Sequence, residues 1–186
     1  MFDPAEQMRS DEALYQQVHQ GDLAAFDVLY ERYERRLFSY LLRMTGSRVD
    51  AEDLMHEAFL SVLRSPEVDL NRATFCTWLY RIARNRCLNH LRSARRADHA
   101  LVTVAAEAPA SAPSAEAVYQ EGALLRALHE AVSRLPAPLS ELFHLRSSGL
   151  SYEQMAQVLE VPLGTVKSRM NQMMNQLRLE VSPWTA

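Results

Sequence analysis

Residues 149–178 read GLSYEQMAQVLEVPLGTVKSRMNQMMNQLR, and this stretch decides the fold of the C-terminal part of the chain. Ser151, with Gln154 three residues later, is typical of a capping box that begins a helix. Residues 160–164 contain a proline and a glycine, which predicts a turn. Apolar residues then recur at helical spacing, so a second helix is expected from about Leu163. The stretch therefore predicts a helix-turn-helix.

The second of these helices is predicted to bury one face and to expose the other. The buried face is expected to hold Val166, Met170, Met173 and Leu177. An exposed helix that carries hydrogen-bonding side chains can read base edges in the major groove of DNA. The candidate base-reading residues are Lys167, Ser168, Arg169, Asn171, Gln172 and Asn175.

A basic, aromatic segment lies about 70 residues upstream and reads FCTWLYRIARNRCLNHLRSARR over residues 75–96. It holds six arginines and no acid between Leu79 and Arg96. Arginine neutralises phosphates, and rings such as Trp78 and Tyr80 can stack on bases. The pattern fits equally well a solvated basic face whose aromatic residues lie in the core.

Residues 50–57 carry the opposite charge, with four acids and neither lysine nor arginine. These acids lie off the apolar stripe of a helix that is predicted to start after Ser47. A solvated surface and a docking face for a basic partner helix are both consistent with this pattern. The acids are Asp50, Glu52, Asp53 and Glu57.

The composition excludes several classes of protein. The chain has 186 residues and no apolar run near the roughly 20 residues that a membrane span needs. Its polar N-terminus is not a signal peptide, so we expect a cytoplasmic protein with no membrane insertion. Its two cysteines lie 11 residues apart, about 16 Å along a helix, which is too far for a disulfide. No catalytic motif, metal-ligand spacing or phosphate-binding loop occurs, so we expect neither an enzyme nor a bound cofactor or metal.

The organisation along the chain predicts an all-α fold of two small helical domains. The first is expected over residues 1–96, with helices that begin near Asp22, after Ser47 and near Thr74. Residues 97–117 are rich in alanine, proline and serine and are predicted to be a flexible linker. The second domain is expected over residues 118–186 and contains the helix-turn-helix.

Four stretches together resemble the extracytoplasmic-function (ECF) sigma factors, the smallest bacterial sigma factors. GDLAAFDVLYERYERRLFSYLLRMTG at 21–46 is similar to the opening helix of the family, and SRVDAEDLMHEAFLSVL at 47–63 to its polymerase-binding helix. Residues 75–96 resemble the promoter-melting helix. LPAPLSELFHLRSSGLSYEQMAQVLEVPLGTVKSRM at 135–170 resembles the C-terminal region.

The resemblance implies a role for each surface. Asp53 and Glu57 would dock the coiled coil of the largest polymerase subunit. The loop at 65–74 would hold a base flipped from the downstream promoter element, and the basic helix would contact the melted strand. The candidate downstream-promoter and melting residues are Asn71, Trp78, Tyr80, Arg81, Arg84, Asn85 and Arg92.

The partners that the resemblance implies are core RNA polymerase, promoter DNA as duplex and as melted strand, and an anti-sigma factor. Two alternatives stay open: a helix-turn-helix regulator that never binds polymerase core, and a sigma-like decoy that titrates an inhibitor. The chain departs from the family at MNQMMNQ over 170–176, where more arginine is usual. Residues 149–186 carry three bases and three acids, which predicts weak attraction to duplex DNA.

Overall fold

The computed structural model describes residues 9–65, 73–101 and 123–181, and within these ranges it contains helices and no strand. The first four helices form one compact unit and the remaining ones form a second. The all-α prediction is therefore confirmed. The helices are α1 (Asp11–His19), α2 (Leu23–Thr45), α3 (Arg48–Arg64), α4 (Phe75–Leu101), α5 (Ala123–Ser133), α6 (Ala137–Ser147), α7 (Tyr152–Leu159) and α8 (Leu163–Val181).

Local capping sets the boundaries of α2 and α3. The Asp22 carboxylate accepts hydrogen bonds from the backbone N–H groups of Ala24 and Ala25, at 3.0 and 3.3 Å. Gly46 ends α2 with φ at 71°, a left-handed conformation that glycine adopts without steric cost. Ser47 then caps α3 by accepting from the backbone N–H of Asp50 at 3.3 Å. Because α2 and α3 are joined by so short a turn, they pack side by side.

Helix α1 precedes the first helix that the sequence periodicity predicts. It forms hydrogen bonds with both α2 and α4. Its Asp11 accepts hydrogen bonds from Tyr33 and from Arg32, the latter at 2.6 Å. Glu12 accepts from the backbone N–H of Phe75 at 3.1 Å, across 63 residues of sequence. That bond satisfies one of the otherwise unpaired N–H groups at the start of α4. Helix α1 thus fixes where α4 begins.

An aromatic cluster fills the core where α1, α2 and α4 meet. The ring of Tyr15 lies 5.6 Å from Phe75 and 5.2 Å from Trp78, centroid to centroid. Phe75 also lies 5.5 Å from Tyr33. Each such pair contributes about 0.5–1.5 kcal/mol beyond the area it buries. The start of the basic helix is therefore a core element as well as a surface.

Helix α4 continues to Leu101, five residues past Arg96, where the sequence places the start of the linker. Residues 97–101 contain no glycine or proline, and alanine and leucine are strong helix formers, so nothing there ends the helix. The rest of the predicted linker, 102–117, lies outside the described residues. The proposed domain boundaries stay a prediction.

The second unit packs α5, α6 and α7 against α8. The four residues predicted to face inward from α8 are all buried, which confirms that prediction: Val166, Met170, Met173 and Leu177. Leu142 and Leu145 of α6 and Met155 of α7 are fully buried in the same unit. One stripe on each helix supplies this core.

The helix-turn-helix has the predicted capping box. The Gln154 side chain accepts from the backbone N–H of Ser151 at 2.8 Å, and the Ser151 hydroxyl accepts from the backbone N–H of Gln154 at 3.2 Å. The left-handed residue of the turn is Glu160, with φ at 55°. Gly164 lies instead within α8, where an added Cβ would meet no atom within 4 Å. The turn therefore holds a non-glycine residue at a cost of about 1–2 kcal/mol.

Candidate nucleic-acid and partner-binding surfaces

The four acids predicted to dock a partner all lie on α3, but they are not equivalent. Glu57 binds Arg86 of α4 at 2.7 Å. Asp50 lies 3.5 Å from the imidazole of His90, also on α4.

The remaining two acids differ again. Arg48 binds Glu52 at 2.8 Å within α3. Asp53 is exposed and makes no ion pair within the described part of the chain. Asp53 therefore presents the charge most available to a partner.

A cleft of about 390 Å³ lies between α3 and α4, and three of the four acids line it, all except Glu52. Arg86 reaches across one end of it, and its second guanidinium nitrogen donates to the Ser61 hydroxyl at 2.9 Å. The predicted acidic face is thus one wall of a groove whose other wall is polar. The cleft is lined by Asp50, Asp53, Leu54, Glu57, Arg86, Asn89, His90 and Ser93.

Helix α4 has two polar faces with different neighbours. Arg86 points toward α3, where it donates a hydrogen bond to Glu57. In the sequence it is one of six arginines in a single basic segment. Asn85 and Arg92 are exposed and lie seven residues apart, on one face. Arg81 and Arg84 are half-buried. The candidate nucleic-acid face is therefore narrower than the run of six arginines indicates.

Trp78 and Tyr80 are buried, which favours aromatic residues in the core, one of the two interpretations that the sequence leaves open; base stacking by these rings stays a prediction. Trp78 is 6% exposed and packs in the aromatic cluster. Tyr80 is 0% exposed, and its ring lies 5.6 Å from that of Tyr40. The spacing of Phe75, Trp78 and Leu79 is consistent with a place for Trp78 on the apolar stripe.

Asn71, the remaining candidate of the downstream set, lies outside the described residues. Its role in holding a flipped base stays a prediction.

Helix α8 exposes five of the six predicted base-reading residues, and Arg169 is half-buried. The Ser168 hydroxyl donates to the carbonyl of Thr165 at 3.0 Å, which orients it along the helix. Hydrogen bonds from its own backbone N–H and from Ser151, together with the Lys167 charge, lower the pKa of Glu153. Lys167 is therefore partly offset by an acid of α7.

Two further residues of this unit are candidates that the sequence does not predict. Met174 is 42% exposed and lies among the polar residues of α8, where an apolar side chain suits contact with a thymine methyl group. Arg146 of α6 lies 5.6 Å over the ring of Tyr152 and donates to the carbonyl of Leu150 at 2.9 Å. Periodicity predicts neither residue, because the exposure of each depends on how the neighbouring helices pack against its own helix.

Within residues 9–65, 73–101 and 123–181, no group of three or more metal-ligating side chains occurs, and no helix is long and apolar enough to span a bilayer. Burial raises the pKa of the Cys76 thiol, which opposes formation of a reactive thiolate.

Comparison with known proteins adds the family relationships. The model of sigma-70 region 2 matches residues 29–97, and that of sigma-70 region 4 matches residues 125–177. An ECF RNA polymerase sigma-E factor of Haemophilus influenzae is 33% identical, over 96% of this chain and 98% of its own length. An RNA polymerase sigma-H factor of Pseudomonas aeruginosa is also 33% identical, over 86% and 87%.

Solved structures share the fold. CnrH, in complex with the cytosolic domain of CnrY, superposes with a TM-score of 0.67 at 20% identity and covers 94% of this chain and 99% of its own. The sigma factor RpoE in complex with the anti-sigma factor NepR, from Bartonella quintana, gives a TM-score of 0.64 at 24% identity, over 84% and 96%. Both likenesses concern the arrangement of helices.

Proposed function

The chain belongs to the ECF RNA polymerase sigma factors, and from this premise we propose that α3 binds core polymerase while α4 and α8 bind promoter DNA. As a sigma factor, the protein serves transcription initiation. The bond-forming chemistry belongs to core polymerase, and we propose that this chain adds no catalysis of its own. It would act in the cytoplasm, where polymerase and DNA are.

The observation that carries this proposal is the division of α4 into two faces. One face meets the acidic helix α3 through Arg86, while the other exposes Asn85 and Arg92. Polymerase docking and strand contact can therefore occur on neighbouring surfaces of one compact unit. An ordinary helix-turn-helix regulator does not need an acidic docking helix beside a basic helix. This feature disfavours that alternative.

Duplex recognition would fall to α8. Its exposed amides can pair bidentately with adenine, and each such pair discriminates by about 1–3 kcal/mol. Because this part of the chain has as many acids as bases, phosphate attraction is weak, and polymerase must hold the unit at the promoter. The residues proposed to contact the upstream element are Lys167, Ser168, Arg169, Asn171, Gln172 and Asn175.

An anti-sigma factor would control the protein. Two proteins that share its fold were solved with such a partner or with a cytosolic domain bound. The acidic face of α3 suits competition, since a basic inhibitor segment and polymerase would seek the same charges.

Charge reversal at Asp53 tests the proposal. Asp53→Lys should weaken binding of the full chain to purified core polymerase by about tenfold or more, because an attraction becomes a repulsion. Asp27→Lys, on an exposed acid of α2, is the matched control and should bind as wild type does. Helix content should hold in both. Equal affinities of the two variants for core polymerase would show that α3 is not the docking face. A wild-type chain that does not bind core polymerase would favour the helix-turn-helix regulator.

A further inference from the structure

Helix α2 carries exposed basic residues that neither the core nor the docking groove uses. Residues 35–49 contain four arginines and neither aspartate nor glutamate. Two of these arginines, Arg36 and Arg43, are exposed and lie seven residues apart, so they share one face of the helix with Ser39 between them. Arg36 and Arg43 form the α2 arginine pair.

The side chain of Arg36 is held in place beside α4. Its guanidinium carbon lies 5.2 Å over the Tyr33 ring, and one of its nitrogens donates to the backbone carbonyl of Arg32 at 3.2 Å. Burial raises the pKa of the Cys76 thiol, while its hydrogen bond with Tyr33 and the positive charge of Arg36 oppose that rise. The Arg36 guanidinium therefore lies close to the first turn of α4.

The two helices then run side by side in the same direction. One turn after Arg36, the ring of Tyr40 lies 5.6 Å from that of Tyr80 on α4. One turn beyond these rings, α2 carries Arg43 and α4 carries Arg84. Arginines of the two helices thus lie at the same level, and the α2 arginine pair continues the basic surface of α4.

The acids near the start of this surface are already engaged within the fold. Asp11 accepts hydrogen bonds from Tyr33 and Arg32. Glu12 accepts one from the backbone N–H of Phe75. The α2 arginine pair therefore keeps its positive charge for an anionic partner.

A nucleic acid fits this surface better than a protein does. Protein interfaces are anchored by large side chains that become buried, most often aromatic ones. Among the described residues of α2, Leu23 is the one exposed large apolar side chain, and it lies 13 residues before Arg36, about 20 Å along the axis. Phosphates need only positive charge and hydrogen-bond donors, and arginine supplies both.

We propose that the α2 arginine pair binds backbone phosphates of the melted promoter strand, so that α2 and α4 hold this strand together. The inference rests on the proposed function and adds a second helix to its strand-contact surface. Because the contacts are made to phosphates, they add affinity without adding a base preference. On a single strand, each such contact adds about 0.7 to the slope of log affinity against log salt concentration.

The test is the full chain with Arg36→Ala and Arg43→Ala together, bound to purified core polymerase. The probe is a promoter fragment with a premelted bubble, taken from a start site mapped by run-off transcription. We expect affinity for this fragment to fall about three- to tenfold and the salt slope to become shallower by about 1.4, since two phosphate contacts are lost. Affinity for core polymerase alone should not change.

Two further variants separate the charge of the pair from its place on the helix. Arg36→Lys with Arg43→Lys keeps both charges and should retain the affinity and the salt slope of wild type. Arg35→Ala is the matched control, because Arg35 is also exposed but lies about 100° around the helix from Arg36. It should bind the bubble fragment as wild type does.

The outcomes separate the inference from the proposed function. Wild-type affinity and salt slope in the double alanine variant would overturn the inference, and so would an equal loss in Arg35→Ala. An equal loss on a fully duplex fragment, or a loss of binding to core polymerase alone, would contradict the melted strand as the occupant. A wild-type chain that binds neither core polymerase nor the bubble fragment would instead reject the proposed function itself.

Discussion

At the scale of single residues, Trp78 shows how a surface role and a core role are confused in a sequence. Its indole lies within 5.9 Å of the Phe75 ring and is shielded by α1. An aromatic residue among arginines suggests base stacking, yet burial leaves little of this ring for DNA. The residue instead anchors the start of α4, from which the exposed arginines project.

Replacing this anchor should harm the fold before it harms promoter opening. Trp78→Ala should lower the free energy of unfolding by about 3–5 kcal/mol, because it leaves a cavity within an aromatic cluster. Denaturant unfolding of the full chain measures the loss, and Trp78→Phe is the milder comparison. A fully stable Trp78→Ala chain that fails only in strand opening would contradict the core assignment.

Arg92 and Arg86 make a matched pair, because both lie on α4 but only Arg86 forms an ion pair with α3. Arg92→Ala should reduce the permanganate reactivity of the opened promoter with little change in core binding, since Arg92 is exposed on the strand-contact face. Arg86→Ala should instead raise affinity for core polymerase, because it removes a positive charge from the docking groove and frees Glu57 from its ion pair. Identical footprints for wild type and Arg92→Ala would remove this arginine from the melting surface.

At the scale of elements, periodicity predicts a helix well when the helix buries one stripe. The buried residues of α8 coincide with those that spacing predicts, and α7 forms the capping box that Ser151 and Gln154 predict. Helix α1 has only three buried residues, too few to stand out from its polar neighbours.

The candidate site was less predictable than the fold. Spacing alone identifies the acids of α3. It does not show that Arg86 forms an ion pair with Glu57 while Asp53 is exposed to solvent. That difference depends on how α3 and α4 pack against each other, which the sequence of either helix does not state. The same holds for the burial of Tyr80, since α2 supplies the ring that covers it.

Helix α8 offers a test of base reading by an amide-rich surface. Gln172→Arg should raise DNA affinity and shift the preferred upstream base toward guanine, because arginine pairs bidentately with guanine and glutamine with adenine. A promoter-library selection measures both. Gln157→Arg adds the same charge at an exposed glutamine of α7 and should raise affinity without a new base preference. Identical preferences for wild type and Gln172→Arg would show that residue 172 reads no base.

At the scale of the whole molecule, the described helices form two units, and the sequence between Leu101 and Ala123 is poor in large apolar residues. From this composition we predict that the segment buries too little surface to offset the entropy of ordering. It contains glutamates at 107, 116 and 121 but no lysine or arginine. A glutamate-specific protease can therefore cut within it while trypsin cannot.

Limited digestion by a glutamate-specific protease should yield two resistant fragments with cuts at Glu107 or Glu116, the two glutamates of the predicted linker. The glutamates of α2 and α3 lie on packed helices and should be cut far more slowly. Trypsin is the control for the same segment. First cuts within α2 or α3 would count against the division into two domains.

Run-off transcription with purified core polymerase and genomic DNA of the source bacterium tests the central claim most directly. We expect the wild-type chain to direct transcripts from discrete start sites, Asp53→Lys to abolish them through lost docking, and Asp27→Lys to leave them intact. A wild-type chain that binds core yet starts transcription at no site would contradict the assignment as an initiating sigma factor and would leave the sigma-like decoy as the better account.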